Sequence, residues 1–326
     1  MKHRYSIFGL GTLAVALLAS LCATLGACGD WTDTETVDYT PQTPGQQNPE
    51  LFARYARAVR DYKQRTHYEV YVGFDNGRDG SRGEKDFIRS LPDSVDAVVL
   101  ERADALTDAD RSDIVSARQL FATRFLYKLD LTAIKKAADD AGQEWSAALT
   151  PALEKMIGLI DEERLDGAYL SYTGDLDLEG SDTSIGTARQ LLLDKLNPLA
   201  QAAKTLLFEG NARFIPQGSR DLFALYVLNT TSIGNTDQLR IKIAEARQVE
   251  GVSAERLFIM ADPELSVKDE DNLQAAQVPY LSQQVIDSGP VGGILVRNAV
   301  ADYAHPADTY QEIRQAIQTL NPSPLK

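Results

Sequence analysis

Cysteine, histidine and basic charge are all scarce in this 326-residue chain, which has two cysteines and three histidines. Both cysteines, Cys22 and Cys28, lie at the N-terminal end. A domain folded from the rest therefore has no disulfide, no thiolate metal site and no cysteine nucleophile. Beyond His3 only His67 and His305 remain, far apart in sequence. A histidine-based triad or a multi-histidine metal centre is not expected. No glycine-rich phosphate loop opens a helical stretch, which argues against dinucleotide binding. Lysine and arginine number 33 against 47 acids, for a net charge of −14. Such a surface repels phosphate backbones, so nucleic acid is not an expected partner. What is present is ordinary: 44% hydrophobic and 25% charged residues. That balance fills a core and excludes a disordered, collagenous or coiled-coil chain.

Residues 1–27 read as an address, not as structure. Lys2, His3 and Arg4 form a basic start, an apolar run spans residues 10–25, and Leu25-Gly26-Ala27-Cys28 follows. This is the tripartite shape of a secretory signal peptide. Its end resembles a bacterial lipobox, which implies that Cys28 becomes the lipidated terminus. A transmembrane anchor is not expected, because a polar, acid-bearing segment follows and no basic residue flanks that side. Residues 28–49 are rich in polar residues, with prolines at 41, 44 and 49, and read as a flexible tether. Asp30, Asp33 and Glu35 resemble the surface-export signal of Bacteroidetes lipoproteins. The expectation is an outer membrane lipoprotein exposed at the cell surface and held to the membrane by its lipid alone. Residues 50–326 are left as the folded domain.

Residues 51–65 carry apolar side chains at helical spacing. After them come eight strand-like runs: 68–74, 95–101, 123–129, 165–172, 212–216, 222–229, 257–261 and 292–297. Helical stretches at 108–121, 145–164, 184–208, 237–248 and 308–320 intervene. Strand alternating with helix predicts a parallel sheet, and eight strands predict a closed (β/α)8 TIM barrel of the α/β class. Only residues 217–221 separate the fifth and sixth runs, too few for a helix, so the barrel is expected to be irregular there.

A barrel builds its site at the C-terminal ends of its strands. The residues there include Phe74, Asp75, Asn76, Glu101, Arg102, Asp130, Tyr172, Thr173, Gln217, Asn229, Thr230 and Thr231. Asp262, Glu264, Arg297, Asn298 and, further on, Tyr303 complete the set. Amides, hydroxyls and acids suit hydrogen bonding to a sugar. A stacking ring would have to come from Phe74, Tyr172 or Tyr303, since Trp31 lies in the tether and Trp145 in a helix. The acidic run 175–182 lacks the spacing of a calcium loop and reads as a solvated loop. No metal or other cofactor is expected.

The fourth run supplies a resemblance. Asp166-Gly167-Ala168-Tyr169-Leu170-Ser171-Tyr172-Thr173 resembles the family 18 glycoside hydrolase signature Asp-Gly-x-Asp-x-Asp-x-Glu. In that family the final glutamate is the general acid and the substrate's own N-acetyl group is the nucleophile. Here Asp166 and Gly167 match, while Tyr169, Ser171 and Thr173 occupy the three acid positions. A threonine hydroxyl cannot protonate a glycosidic oxygen near neutral pH. Val72-Gly73-Phe74, residues 90–96, Gly292-Gly293 and Asp302-Tyr303 support the placement. Residues 226–231 resemble a segment of the endo-β-N-acetylglucosaminidase branch, with Asn229 as its amide and Thr231 in place of a tyrosine. That branch also lacks helices in its fifth and sixth units. The resemblance implies a degenerate barrel, a pseudoenzyme that binds a glycan containing N-acetylglucosamine without cleaving it. It is similar to surface glycan-binding lipoproteins of glycan-utilisation loci, with an outer-membrane transporter complex as the expected partner. An alternative keeps the activity: Asp175-x-Asp177-x-Glu179 repeats the family's acid spacing downstream, so Asp177 or Glu179 would serve an active endo-β-N-acetylglucosaminidase or chitinase-like hydrolase.

Overall fold

Each barrel strand is short and apolar on both sides, because one face meets the helices and the other fills the barrel. The computed structural model describes residues 42–77, 83–177 and 180–322. The signal peptide, Cys28, Trp31, most of the tether and Glu179 lie outside these. The chain divides into two units, residues 1–52 and 53–326. In the first, a one-turn helix, Pro44–Gln47, stands where a plain tether was expected. Thr43 and Gln46 cap it reciprocally, and Pro44 needs no partner for a missing N–H. Helix α1 (Pro49–Lys63) follows.

In the second unit the strands are β1 (Glu69–Phe74), β2 (Ala97–Leu100), β3 (Arg124–Asp130) and β4 (Gly167–Tyr172). They continue as β5 (Thr205–Gly210), β6 (Leu225–Leu228), β7 (Leu257–Ala261) and β8 (Gly293–Val296). All pair in parallel in chain order, and β8 closes onto β1. The period of two sorts side chains into two cores. Val70, Val72, Phe74, Ala168, Leu170, Tyr172, Leu206 and Phe208 point outward beneath the helices. Tyr71, Val99, Leu126, Tyr169, Leu207, Val227, Phe258, Met260 and Leu295 fill the interior.

The outer layer is α2 (Asp108–Phe121), α3 (Leu131–Asp140), α4 (Trp145–Glu162), α5 (Thr183–Gln201), α6 (Thr236–Arg247), α7 (Gln277–Asp287) and α8 (Gln311–Leu320). Caps explain their starts: Thr107 and Asp110 form a capping box on α2, Asp130 caps α3 and Asp182 caps α5. A short hairpin, Ser266–Lys268 with Gln274–Ala276, follows β7. Among the described residues no helix is long and apolar enough to cross a membrane.

The structure corrects the fifth unit. Residues 205–208, read as the end of a helix, belong to β5, and residues 212–214, read as strand, form a 3-10 turn. The helix stop was invisible because no glycine marks it. Ala203 takes the left-handed conformation at φ +57°, and the Lys204 N–H donates to the Leu199 carbonyl at 3.0 Å. Helices α3 and α7 were also not foreseen. The missing helix between β5 and β6 is real: two 3-10 segments, Ala212–Phe214 and Gln217–Leu222, make the connection. Aromatic rings cover the sheet there instead. Phe214 lies 5.7 Å from Phe208 and 4.3 Å from Tyr172, and Tyr172 stacks on Trp145 at 5.3 Å.

Candidate functional site

The C-terminal ends of the strands surround an open cavity of about 690 Å³. Its floor is apolar, made by Val99, Met260 and Leu295 at the top of the inner core. Above the floor runs a belt of polar pairs, each joining neighbouring strands. The Lys128 ammonium of β3 donates to Glu101, just past β2, at 2.6 Å. Arg297, past β8, donates to Asp262, past β7, at 2.6 Å. Asn298 donates to Glu264 at 2.9 Å. At the end of β1, Gly73 leaves room for this belt: a Cβ there would sit 3.3 Å from the Glu101 carboxylate and 3.4 Å from the Arg297 Cα.

Strands β4, β5 and β6 carry the most ordered part. Tyr169, Ser171 and Thr173 face the cavity from β4 and its end, as alternation from Gly167 requires. None of the three bears a carboxyl group. Glu209 does, one strand over, paired in register with Ser171. It is 7% exposed. Its Oε2 accepts the Tyr169 hydroxyl at 2.8 Å and its Oε1 accepts the Asn229 amide at 2.8 Å. The Asn229 Oδ1 accepts the Thr231 hydroxyl at 2.7 Å, which fixes the amide's orientation. Burial, and then the neighbouring Glu209 carboxylate, push the Tyr169 phenol well above its usual range, so it stays a donor.

Asp75, Glu101, Arg102, Asp130, Thr173, Asn229, Arg297 and Asn298 all line the cavity. Other candidates do not. Phe74 and Tyr172 have the wrong parity and point into the outer core, where both are buried. The Tyr172 hydroxyl is taken up by the Asp175 carbonyl at 2.7 Å. Gln217 sits in the 3-10 connection to β6, away from the cavity. Asp262 is buried behind Arg297 and touches the mouth only through it. Tyr303 packs edge-on against Tyr310 at 5.4 Å. The aromatic platform expected from Phe74, Tyr172 or Tyr303 is therefore absent among the described residues. Tyr169 is the aromatic residue of the lining, and it is 2% exposed.

Asn76 and Thr230 are structural. The Asn76 amide clips the Arg102 backbone in both directions, at 2.8 and 3.0 Å. Thr230 is buried against the Met260 backbone. Asp177 also lies outside the cavity. Its Oδ1 accepts the N–H groups of Asp182 and Ser181 at 3.0 and 2.8 Å, and these bonds hold its carboxyl below the usual range. His67 pairs with Asp96 at 2.9 Å, before β1 and therefore far from the mouth. His305 pairs with Asp302 at 2.7 Å, and Asp302 also caps α8 through the Glu312 and Ile313 N–H groups. Glu209, Lys128, Thr132 and Lys136 line the cavity without having been singled out from the sequence. Parity could have found Lys128, which shares its face of β3 with Leu126.

The closed parallel barrel has known counterparts. Residues 32–170 match the model of glycoside hydrolase family 18, BT1044-like. The likeness to that family covers this part of the chain. The match ends inside β4, just before Ser171 and Thr173. A Glu-to-Gln variant of BT1044 is 17% identical, with 86% of this chain and 96% of that one covered and a TM-score of 0.66. The apo endo-β-N-acetylglucosaminidase from Cordyceps militaris is 15% identical over 82% and 96% of the two chains, with a TM-score of 0.57. A double mutant of that enzyme, in complex with fucosyl-N-acetylglucosamine-Asn, gives 15% identity, 82% and 95% coverage and a TM-score of 0.57. At such identities the likeness establishes the fold. No curated protein sequence matches the chain.

Proposed function

We propose that this family 18-type barrel captures a glycan containing N-acetylglucosamine at its mouth and does not cleave it. The observation that carries this reading is the face of β4. Tyr169, Ser171 and Thr173 open onto the cavity, and none can act as the proton donor that glycoside hydrolysis requires. The cavity itself is kept open. Its volume of about 690 Å³ falls in the range of small-ligand sites. The Cordyceps militaris enzyme of the same fold is known in complex with fucosyl-N-acetylglucosamine-Asn, which supports an N-acetylglucosamine-containing ligand. With no exposed ring in the lining among the described residues, recognition rests on hydrogen bonds from the Asn229 and Asn298 amides and to the Glu101 and Glu209 carboxylates.

In this reading Cys28 carries the lipid, residues 28–49 tether the barrel to the outer membrane, and a transporter complex receives the glycan. The displaced-acid alternative is weakened at Asp177, whose carboxylate is engaged by its own loop. A glycan array tests the reading. The protein should retain N-acetylglucosamine-containing glycans, and Asn229→Ala should weaken that about ten- to a hundredfold, the weight of one or two lost hydrogen bonds. Binding unchanged in Asn229→Ala would move the site away from the mouth.

A further inference from the structure

We infer that the mouth selects a sugar bearing a free amino group, with Glu209 as the counter-charge for its ammonium. This rests on the capture reading and names the chemistry of the captured sugar. Charged side chains line the cavity. Four are basic, and each already has an acid: Arg102 with Asp75 at 3.6 Å, Lys128 with Glu101 at 2.6 Å, Lys136 with Asp140 at 2.7 Å, and Arg297 with Asp262 at 2.6 Å. The mouth therefore offers no unneutralised cation to an anionic sugar among the described residues.

Glu209 is different. It forms no ion pair among the described residues, although it is nearly buried. Its two hydrogen-bond partners, Tyr169 and Asn229, are neutral. Asp130 also lacks a basic partner among the described residues, but it is exposed and occupied in capping α3. A sequestered carboxylate without a counter-ion is costly, and neutral donors offset only part of that cost. Each carboxylate oxygen accepts one bond here and retains a second acceptor direction. The face of β5 on which Glu209 stands opens into the cavity. An ammonium there would add an ion pair in a low-dielectric site to the hydrogen bond that an acetamide N–H could also make. The net charge of −14 adds a long-range attraction for such a ligand. The ligand class is a glucosamine oligosaccharide in which at least one residue has lost its acetyl group.

Calorimetry with a glucosamine tetramer, and with the same tetramer after chemical N-acetylation, tests this directly on the unmodified protein. The free-amine form should bind about tenfold tighter, the margin of an ion pair over a hydrogen bond to the same carboxylate. Added salt should narrow the margin. Glu209→Gln should weaken the free-amine tetramer more than the acetylated one and so bring the two affinities close together. Equal or tighter binding of the acetylated form by the unmodified protein overturns the inference and leaves the capture reading standing. A preference that persists in Glu209→Gln also overturns it. Binding of neither tetramer removes the mouth as a sugar site, and the inference with it.

Discussion

The Tyr169 hydroxyl donates to the Glu209 carboxylate at 2.8 Å, from β4 to β5 across the inside of the barrel. This bond joins β4, whose cavity face and end carry Tyr169, Ser171 and Thr173, to β5, whose cavity face carries Glu209. It holds Glu209 at the level of Ser171, beside the place where the family's signature puts carboxylates. Tyr169→Phe removes the donor and leaves a nearly buried oxygen unpaired. The expected loss is about 1–2 kcal/mol of stability. A double-mutant cycle with Glu209→Gln, read by thermal or urea unfolding, should show coupling of similar size. Additive single effects would contradict the pairing.

Gly73 is expected to be the tightest position in the mouth. Its backbone is ordinary, so alanine brings no conformational strain, but its Cβ would press on Glu101 and on the Arg297 backbone. The Glu101 carboxylate must then shift by a few tenths of an ångström and loosen its bond to Lys128. Gly73→Ala should cost under about 1 kcal/mol of stability yet lower glycan affinity measurably. A variant with unchanged affinity would show that this side of the mouth does not contact the ligand.

The aromatic cover between β5 and β6 replaces a helix, so it should bear stability out of proportion to its size. Phe214 is fully buried against Phe208 and Tyr172. Phe214→Ala should cost about 3–5 kcal/mol, as for a large core aromatic. A loss below about 1 kcal/mol in urea unfolding would mean the 3-10 segment packs loosely.

Ala203 offers the opposite test. An alanine at φ +57° costs roughly 1 kcal/mol relative to glycine, partly offset by glycine's extra freedom in the unfolded chain. Ala203→Gly should therefore raise the melting temperature slightly. A fall would show that side-chain packing outweighs backbone strain at this helix end.

His67 supplies a pH signature remote from the mouth. Burial opposes its charge, but the Asp96 side chain and the Arg65 carbonyl outweigh burial and raise its pKa. A raised pKa in the folded state means the stabilisation is complete below the unfolded value of about 6.5. It is lost as pH rises through the folded value. His67→Gln should thus cost most below about pH 6 and progressively less above neutrality. A pH-independent difference in unfolding free energy would contradict this assignment.

Much of this barrel was legible because strand parity is a strict code. Counting by twos from Gly167 puts Tyr169, Ser171 and Thr173 inward, and they line the cavity. The same count applied to β1 would have excluded Phe74, which sits at a strand end but on the outer face. Tyr172 fails for the same reason. Glu209 was hidden differently. Helix α5 runs to β5 through Gln201-Ala202-Ala203-Lys204 with no glycine or proline, so helical periodicity seemed to continue through Phe208. Misplacing β5 removed Glu209 from view. The polar pairs of the mouth could not be read at all, because Lys128 and Glu101, or Arg297 and Asp262, meet only once the barrel closes.

Capture without cleavage is visible in the fate of the glycan itself. The protein is incubated with a high-mannose glycoprotein, and with a chito-oligosaccharide, under conditions where calorimetry detects binding. Mass spectrometry then follows the glycan. Binding should be saturable and weaken in Asn229→Ala, with every glycan recovered intact. Glycan released from the glycoprotein, or shortened oligosaccharide that disappears in Glu209→Gln, would contradict it and make the barrel a hydrolase whose acid has moved to β5.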